Sequence, residues 1–399
     1  MAAAAASLNL AVVGAGPAGM ALALHAAQAL PQAAITLYDA RSAGPDAQRD
    51  PRTIALALGS VQLLERLGAW PAARAQPILE VHVSQQPPGF GGGDAALRIR
   101  AADEGVPLLG AVLGYGDIVA PLQTAWLAAC EREPQRLRSR FETPVAALKN
   151  VAGGVEVDAG VIDRCDLAVV AEGGVFAEQA RRGIRHDYRQ TAWVGTVRYA
   201  GDGAAHRAGV AYERFTRHGP AALLPLRSEG AERRAALVWC VPSDDDPVQG
   251  LTDAQRVAVL NSVFHRDTGA LAEVAPLKHF ALGLNAERSL VDGRTVRIGN
   301  AAQTLHPVAG QGLNLGLRDA FELVRALGAA ADVDAALRRL ELRRAPDRWG
   351  TIAATDFLAR SFTWQLPGLG AARGLGLAAL QAFAPARSLL ARRMMFGSR

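Results

Sequence analysis

The N-terminal segment constrains the fold of this chain more than any other feature. An apolar run, Asn9–Val13, leads directly into a glycine-rich segment at 14–19 and then into an alanine- and leucine-rich stretch at 20–30. A second apolar run, Ala34–Tyr38, ends at Asp39, 20 positions after the last glycine of the turn. The order strand, tight turn, helix, strand and acidic residue is typical of a dinucleotide-binding unit.

The three glycines of that turn have separate tasks. Gly14 permits the tight turn, Gly16 lets the backbone approach a pyrophosphate, and Gly19 lets the helix pack closely on the strand. Asp39 is placed to accept a hydrogen bond from a ribose hydroxyl. A chance glycine turn would lack the flanking strands and the acidic residue. The segment therefore predicts a bound adenine dinucleotide.

A second glycine-containing segment lies at 299–319. It follows Thr295–Ile298, a β-branched run that predicts a buried strand. From Leu313 onward, apolar residues recur at helical spacing, which predicts a helix that begins between Gly310 and Asn314. The segment therefore connects a strand to a helix without a hairpin signal.

The composition of this connection suggests a second contact with the ligand. Gly310 and Gly312 allow close approach of backbone to a ligand, and a helix start favours an anionic or polar partner. Asn300 stands where the strand ends, the usual place for a ligand-binding side chain in an open α/β sheet. The alternative is an ordinary strand-to-helix turn.

Charge and cysteine content exclude several classes of protein. The net charge is +5, but no Asp or Glu follows Asp356. This uneven distribution favours a surface or partner contact at the tail and does not favour nucleic acid. No apolar run reaches the roughly 18 residues of a membrane span. The three cysteines are far apart with no CxxC pair, which argues against a disulfide framework or a metal site and indicates a reducing cytoplasm.

The motifs together resemble those of the flavin-dependent aromatic hydroxylases of the para-hydroxybenzoate hydroxylase type. The chain most resembles their ubiquinone-biosynthesis branch, the UbiH/VisC-like proteins, over nearly its whole length. The matching residues are Gly14, Gly16, Gly19 and Asp39; Arg52-Thr53-Ile54-Ala55-Leu56; Gly299-Asn300, Pro307, Gly310-Gln311-Gly312 and Leu313-Asn314; and Tyr212-Glu213-Arg214-Phe215 with Gly219-Pro220 and Leu224-Pro225-Leu226.

The resemblance implies a Rossmann-like α/β FAD-binding domain with an inserted antiparallel β-sheet substrate domain and C-terminal helices. Period-two patterns in 190–242 independently predict the antiparallel strands, and helical patterns dominate after Asp332. The expected division is an FAD-binding domain in three parts (1–80, 113–186 and 286–331), a substrate domain in two parts (81–112 and 187–285) and C-terminal helices (332–399).

The implied activity is hydroxylation of an aromatic ring, using FAD, NAD(P)H and O2 through a C4a-hydroperoxyflavin. A polyprenyl phenol of ubiquinone biosynthesis is the implied substrate, in a cytoplasmic protein that could also lie at the inner membrane. Two alternatives stay open: an FAD monooxygenase of a soluble phenol or secondary metabolite, and a flavin-binding assembly subunit of a biosynthetic complex. The implied FAD contacts are Gly14, Gly16, Gly19, Asp39, Arg52, Asn300, Gly310, Gly312, Leu313 and Asn314.

Candidates for catalysis and substrate binding are fewer, because the cofactor carries most of the chemistry. His306 is a candidate proton relay, although a loop histidine hydrogen-bonded to backbone is the alternative. Pro307 is expected to shape the pocket beside the flavin ring. Tyr212 and Arg214 are candidate substrate contacts, but alternate residues of a strand face opposite sides, and the sequence does not decide which side faces the cavity.

Two motifs depart from the family pattern. Asn300 stands where the wider family has Asp, and either residue can hydrogen-bond a ribityl hydroxyl. The segment Ala171-Glu172-Gly173-Gly174-Val175-Phe176 replaces the usual Ala-Asp-Gly-x-x-Ser, which serves flavin and nicotinamide handling in the family.

The basic tail is the last feature with two interpretations. Residues 388–396 combine apolar residues with the arginine pair Arg392 and Arg393 on a predicted terminal helix. Such a helix suits an anionic membrane surface or an acidic partner of a ubiquinone-biosynthesis complex. The alternative is a terminal helix that packs on the core and leaves its arginines in solvent.

Overall fold

The structure is a computed structural model of the 399-residue chain. It describes residues 8–44, 50, 52–86, 96–172, 183–201, 207–228, 230, 232–264, 268–361, 364 and 368–398.

The strands are β1 (Asn9–Val13), β2 (Ala34–Tyr38), β3 (Thr53–Ala57), β4 (Gln76–Ile78), β5 (Glu80–Gln85), β6 (Ala96–Arg100), β7 (Gly110–Gly114), β8 (Leu137–Arg140), β9 (Ala147–Val151), β10 (Gly154–Asp158), β11 (Ile162–Cys165), β12 (Leu167–Val170), β13 (Ile184–Tyr199), β14 (Val210–Thr216), β15 (Gly219–Pro225), β16 (Arg234–Pro242), β17 (Leu271–Val274), β18 (Lys278–Ala286), β19 (Val291–Asp292), β20 (Thr295–Arg297) and β21 (Gln303–Thr304). The helices are α1 (Pro17–Ala29), α2 (Leu58–Arg66), α3 (Tyr115–Arg132), α4 (Asp253–Val263), α5 (Gln311–Ala329), α6 (Val333–Ser361), α7 (Leu369–Ala382) and α8 (Ala384–Phe396).

A six-stranded sheet in the order β19-β20-β12-β1-β2-β8 forms the frame of the part that is expected to bind FAD. Strands β20, β12, β1, β2 and β8 pair in parallel, and β19 is antiparallel at the edge. Alternate residues of β1 enter two separate cores. Leu10 and Val12 pack with residues of α1, α3 and α5, whereas Ala11 and Val13 pack with Val155 and Val157 of β10. Helices therefore cover one face and the small sheet β9–β11 covers the other, which explains why these strands are apolar on both faces.

A nine-stranded sheet makes up the second layer, in the order β21-β18-β13-β16-β15-β14-β5-β6 with β17 paired to β13. Its pairs are antiparallel except β14 with β5, which run parallel. The antiparallel strands expected at 190–242 are present as β13–β16. On one face of this sheet, Trp193, Tyr212 and Trp239 pack with residues of α4. The opposite face packs against α6 and the C-terminal helices through the clusters that contain Cys240 and Ala211.

The C-terminal region is helical, as expected, but its last part is not one helix. The helical sequence pattern at 374–395 favours a single helix, whereas the structure has α7 and α8 separated at Phe383. Pro385 lies in the first turn of α8 and lacks the N–H that would continue α7, so the chain turns before it. Among the described residues, no helix is long and apolar enough to cross a membrane.

Candidate active site

The predicted glycine turn is present between β1 and α1. Gly14 has φ +105°, and a Cβ there would lie 2.9 Å from Glu172 Cβ, so only glycine suits the position. A Cβ on Gly19 would lie 2.0 Å from the Gly14 carbonyl oxygen. At both Gly14 and Gly19 a neighbouring part of the backbone lies too close for a side chain. The turn leaves the N-terminus of α1 open to an anionic ligand.

Asp39 closes this turn at the end of β2 and is almost fully buried. Its carboxylate accepts hydrogen bonds from the Ala15 N–H (2.6 Å) and from the Arg41 N–H and guanidinium (2.8–2.9 Å). Burial alone would raise the pKa of Asp39, but the bonds from Arg41 outweigh it, and the pKa lies below its usual value. Asp39 is therefore an anionic acceptor, as a ribose hydroxyl requires.

The turn opens into a cleft of about 410 Å³. Of the residues predicted to bind the cofactor, Gly14, Gly16, Arg52, Asn300 and Leu313 line it. Residues outside the predicted list of FAD contacts also line it, namely Ile54, Ala171, Glu172 and Gly299, which belong to the matched motifs, and Pro17, Ala18, Arg41 and Tyr115. The sequence carries a signal for two of these residues. Arg41 follows the predicted ribose ligand Asp39 by two residues, and Tyr115 begins a helix directly after a buried strand, where ligand-binding side chains are common.

Two arginines and a tyrosine supply hydrogen-bond donors to the cleft. The Arg52 guanidinium lies 4.3 Å from the centre of the Tyr115 ring and forms an ion pair of 2.7 Å with Asp50. Arg41 lines the same cleft. Burial, and secondarily the charge of Asp39, raises the pKa of Glu172. This arrangement suits the pyrophosphate of a dinucleotide.

A smaller cavity of about 280 Å³ adjoins the cleft, and Arg41 lines both. Ala15, Asp39, Val119 and Phe141 are among its lining residues. Apolar side chains beside a carboxylate suit an adenosine, whose base is planar and whose ribose carries hydroxyl donors. The two spaces together match the two halves of FAD in chemistry.

The strand and helix predicted around the 299–319 segment are confirmed as β20 and α5. Gly299 and Gly310 have left-handed φ values of 58° and 59°, and Gly310 caps α5. Asn300 is exposed on the cleft, whereas neither Gly310 nor Gly312 lines it. In this structure the role of Gly310 is to make the turn into α5, and its contact with the cofactor stays a prediction, as does that of Gly312.

Asn314 is buried and lies outside the cleft lining. Its Oδ1 accepts hydrogen bonds from the Ala57 N–H (2.8 Å) and the Ser60 hydroxyl (2.7 Å). Its Nδ2 donates to the carbonyl oxygens of Ala55 (3.0 Å) and Gly310 (2.8 Å). All four hydrogen-bonding positions of the amide are therefore used within the protein. Asn314 therefore fastens β3 and α2 to the start of α5, and its contact with the cofactor stays a prediction.

His306 is 1% exposed and is held by two hydrogen bonds. Its Nδ1 accepts from the Val308 N–H (3.2 Å), so in the neutral ring Nε2 carries the proton and donates to Gln190 Oε1 (2.9 Å). Burial lowers the pKa of His306 to about 4. This geometry favours the hydrogen-bonded loop histidine over the proton relay. Pro307 is half-buried at the head of the turn that leads to Gly310, and its place beside the flavin stays a prediction.

An apolar cavity of about 360 Å³ lies between the nine-stranded sheet, the FAD-binding part and the C-terminal helices. The residues of β14 that line it are Glu213 and Phe215. Tyr212 and Arg214 are buried on the other face of β14, where the Tyr212 ring meets His82 edge-on with centroids 5.6 Å apart. Tyr212 and Arg214 therefore do not line this cavity, and their contact with a substrate stays a prediction.

The structure describes the first two residues of the altered motif at 171–176. Ala171 and Glu172 line the cleft, and Gly173, Gly174, Val175 and Phe176 lie outside the described residues.

Comparison with known proteins agrees with this geometry. A family model described as FAD binding domain matches residues 130–349. The ubiquinone hydroxylase UbiL of Rhodospirillum rubrum is 33% identical over 359 residues, covering 87% of this chain and 80% of that protein. The 3-demethoxyubiquinol 3-hydroxylase of Escherichia coli is 30% identical over 390 residues, covering 94% of each. The crystal structure of Klebsiella pneumoniae HpxO complexed with FAD and uric acid matches 99% of this chain and 98% of that chain with a TM-score of 0.71 at 16% identity, a likeness of fold.

The fold and the cleft define a flavoprotein whose glycine turn, buried Asp39 and arginine-lined cleft suit FAD. The chain belongs to the UbiH/VisC-like family of FAD-dependent aromatic hydroxylases. It is an FAD-dependent aromatic-ring monooxygenase that takes NAD(P)H as co-substrate.

Proposed function

We propose that the substrate is a polyprenyl phenol intermediate of ubiquinone biosynthesis, and that the protein adds one oxygen atom from O2 to its aromatic ring. The observation that carries this proposal is the apolar cavity beside the cofactor cleft. The names of the two relatives, both ubiquinone or demethoxyubiquinol hydroxylases, support the same substrate class.

The two spaces meet along β3 and the start of α5. Ile54 and Leu313 line the cofactor cleft, while their chain neighbours Ala55 and Asn314 line the apolar cavity. A ring bound in the cavity therefore lies next to the cleft, as transfer of oxygen from the flavin to the ring requires. Proximity of this kind is the main contribution that a protein makes to cofactor chemistry.

The cavity wall is apolar over most of its area. Strands β5 and β6 contribute Val81, Val83, Leu97 and Ile99, and the helices contribute Leu358, Leu377, Leu380, Leu390 and Met394. A hydrocarbon chain gains roughly 0.8 kcal/mol for each CH2 group that it buries. A prenyl chain would use this wall, whereas a small polar phenol would contact little of it.

Each part of the site has a defined task in the reaction. When bound, FAD supplies the reduced flavin that activates O2 for transfer to the ring. The Gly14–Gly16 backbone and Arg52 would hold the pyrophosphate of FAD, and Asp39 would hold its ribose. Phe215 packs on Val308 at the flavin-side end of the cavity, so apolar side chains exclude water from the place where ring and flavin meet.

We also propose that the C-terminal helices take the substrate from an anionic membrane. Helix α7 is apolar on two faces: Leu377 and Leu380 line the cavity, while Leu375 is 62% exposed on the outside. Phe383 and Leu389 are likewise exposed, at the junction of α7 with α8 and on α8. Such a surface on a soluble fold is typical of a membrane or partner contact.

The charges around these helices support a membrane with anionic lipids. No acidic residue follows Asp356, whereas Arg360, Arg373, Arg387, Arg392, Arg393 and Arg399 do. Arg392 and Arg393 are exposed on α8. The same helix buries Ala391 and Met395, so α8 both closes the cavity and presents arginines outward. An apolar surface with cationic neighbours suits interfacial binding.

The hydroxylation is tested with the FAD-loaded protein, NAD(P)H, isotopically labelled O2 and two phenols that differ only in a prenyl chain. We expect mass spectrometry to find one labelled oxygen atom in the prenylated phenol and much slower turnover of the bare phenol. Equal or faster coupled turnover of the bare phenol would contradict the substrate class. NAD(P)H oxidation with neither phenol would favour a flavin-binding assembly subunit instead.

Membrane binding is tested by sedimentation with phosphatidylglycerol-containing vesicles. We expect Leu375→Gln with Leu389→Gln to lose binding while FAD content is kept, because neither side chain lines the cavity. Val161→Gln with Ile162→Gln is the matched control, since these residues are 67% and 64% exposed on a distant hairpin. Binding should also weaken as salt screens the arginines. Loss of binding in the control pair alone would contradict the assigned surface.

A further inference from the structure

We infer that Asp347 is a positioning residue of the apolar cavity: it holds the chain at Gly397 and Ser398, and with it the end of α8, which forms the wall for the hydrocarbon part of the substrate. Asp347 lies on α6 and does not itself line the cavity. The inference rests on the proposed function, since it takes a polyprenyl phenol as the occupant of that cavity.

The first observation is a buried cluster of four charged side chains. The Asp347 carboxylate accepts hydrogen bonds from Arg318 Nη1 of α5 (3.0 and 3.1 Å) and from Arg344 Nη1, three residues earlier on α6. Arg344 Nε donates to Asp319 Oδ1 (2.7 Å). All four residues are less than 10% exposed. Buried charges are stable only while their partners stay within hydrogen-bond distance, so the cluster fixes α5 against α6.

The second observation is that the chain after α8 closes on this cluster. The Ser398 N–H donates to Asp347 Oδ1 (2.9 Å). Gly397 has φ +75°, and a Cβ at this position would collide with Arg318 Nη1 and lie 2.6 Å from Asp347 Oδ1. Only glycine lets the backbone approach the two charged groups this closely. Asp347 therefore joins the end of α8 to α5.

The two helices joined in this way line different parts of the cavity. Helix α5 contributes Gln311 and Asn314, next to Leu313 of the cofactor cleft. Arg318, which bonds Asp347, also donates to Gln311 Oε1 (2.9 Å). Helix α8 contributes the apolar residues Leu390, Ala391, Met394 and Met395. Thus α5 marks the part of the cavity beside the cofactor, and α8 marks a part that suits hydrocarbon.

This arrangement gives the cluster a defined effect on the substrate. A prenyl chain gains affinity from each group that it buries against α8, whereas the ring lies beside α5. An α8 that is no longer held at Asp347 gives a long chain less contact, while the ring and FAD keep theirs. Asp347 therefore sets how steeply affinity rises with the length of the prenyl chain.

The test measures, by calorimetry, the affinity of the FAD-loaded protein for a phenol with a farnesyl chain and for one with a dimethylallyl chain. We expect the parent protein to bind the farnesyl phenol at least about 10-fold more tightly. Ser398→Pro removes the N–H that Asp347 accepts and leaves every charge of the cluster in place. It should weaken binding of the farnesyl phenol about 10-fold, as when roughly two CH2 groups are no longer buried, and leave the dimethylallyl phenol unchanged.

A second variant and two controls accompany this measurement. Gly397→Ala should have the same effect as Ser398→Pro, because its Cβ pushes the chain away from the cluster. Ser398→Ala keeps the N–H and should bind both phenols as the parent protein does. Gly153→Ala controls for backbone strain, because Gly153 has φ +72° and a Cβ there meets nothing within 4 Å.

The contrary outcomes separate this inference from the proposed function. Parental affinity for both phenols in Ser398→Pro and Gly397→Ala, or equal weakening of both phenols, would overturn the inference and leave the proposed function standing. Loss of FAD from these two variants would also overturn it, because the cluster would then support the cofactor and not the cavity wall. A parent protein that binds neither phenol, or both with equal affinity, would contradict the proposed substrate class and the inference with it.

Discussion

Two asparagines with similar sequence context have different tasks in the structure, and a pair of substitutions should separate them. Asn314 makes four hydrogen bonds within the protein, whereas Asn300 is exposed on the cofactor cleft. We expect Asn314→Ala to lower the stability of the protein without FAD. We expect Asn300→Leu to lower FAD affinity and to leave the stability of the FAD-free protein unchanged.

The magnitudes follow from the contacts. Four hydrogen bonds at about 1 kcal/mol each, with buried partners left unpaired in Asn314→Ala, give a loss of about 2–5 kcal/mol. For a chain of this length the entropy of unfolding converts that loss into a fall of roughly 2–6 °C in the thermal midpoint. In Asn300→Leu one hydroxyl of the ligand loses its partner, which costs about 1–3 kcal/mol of binding.

Thermal unfolding of the FAD-free proteins and titration with FAD measure the two effects separately. Asn314→Asp is an informative control, because its oxygens still accept from Ala57 and Ser60 but cannot donate to Ala55 and Gly310. It should therefore lose part of the stability that Asn314→Ala loses. Asn300→Asp should bind FAD, since an acceptor remains. The reasoning is refuted if Asn314→Ala melts with the parent protein, or if Asn300→Leu retains FAD with parental affinity.

Three further predictions concern the cofactor, the glycine turn and acid. The purified protein should be yellow and should release its FAD when denatured by acid, because no histidine or cysteine lies in a recognised flavin-linking motif; flavin that stays with the precipitate would disprove this. Gly19→Ala should abolish FAD binding, because its Cβ would meet the Gly14 carbonyl oxygen at 2.0 Å, while Gly350→Ala in α6, whose Cβ meets nothing within 4 Å, should retain it in the same absorbance assay. Burial lowers the pKa of His306 and of His25 to about 4, so between pH 6.5 and pH 4 the unfolded chain binds more protons and stability should fall as pH falls, by up to about 3 kcal/mol for each buried histidine. Denaturant titrations at pH 7 and pH 4.5 measure this change in the free energy of unfolding. If His306→Gln loses as much stability between the two pH values as the parent protein does, His306 does not contribute.

Much of the cofactor cleft could be predicted from the sequence because its determinants are local. The spacing of Gly14, Gly16 and Gly19 and the position of Asp39 at the end of β2 are set within 31 consecutive residues, 9–39. The strand β20 and the start of α5 were likewise predicted from a β-branched run and a helical repeat. Backbone conformation and periodicity are properties of neighbouring residues, so a single segment is sufficient to show them. The break between α7 and α8 also had a local signal, since Pro385 cannot continue a helix.

The substrate side depended on contacts between distant parts of the chain. Tyr212 and Glu213 are adjacent, and the sequence alone does not distinguish their faces; pairing of β14 with β5, about 130 residues earlier in the chain, turns Glu213 to the cavity and Tyr212 away from it. The sequence does not show whether the Asn314 side chain contacts the ligand or the protein. In the structure its amide oxygen accepts hydrogen bonds from Ala57 at the end of β3 and from Ser60 of α2. The amphipathic tail could lie on a membrane or on the core, and α8 buries one face and exposes the other. In each case the residue type permits two roles, and which one it takes is decided by the partner that the tertiary fold brings against it.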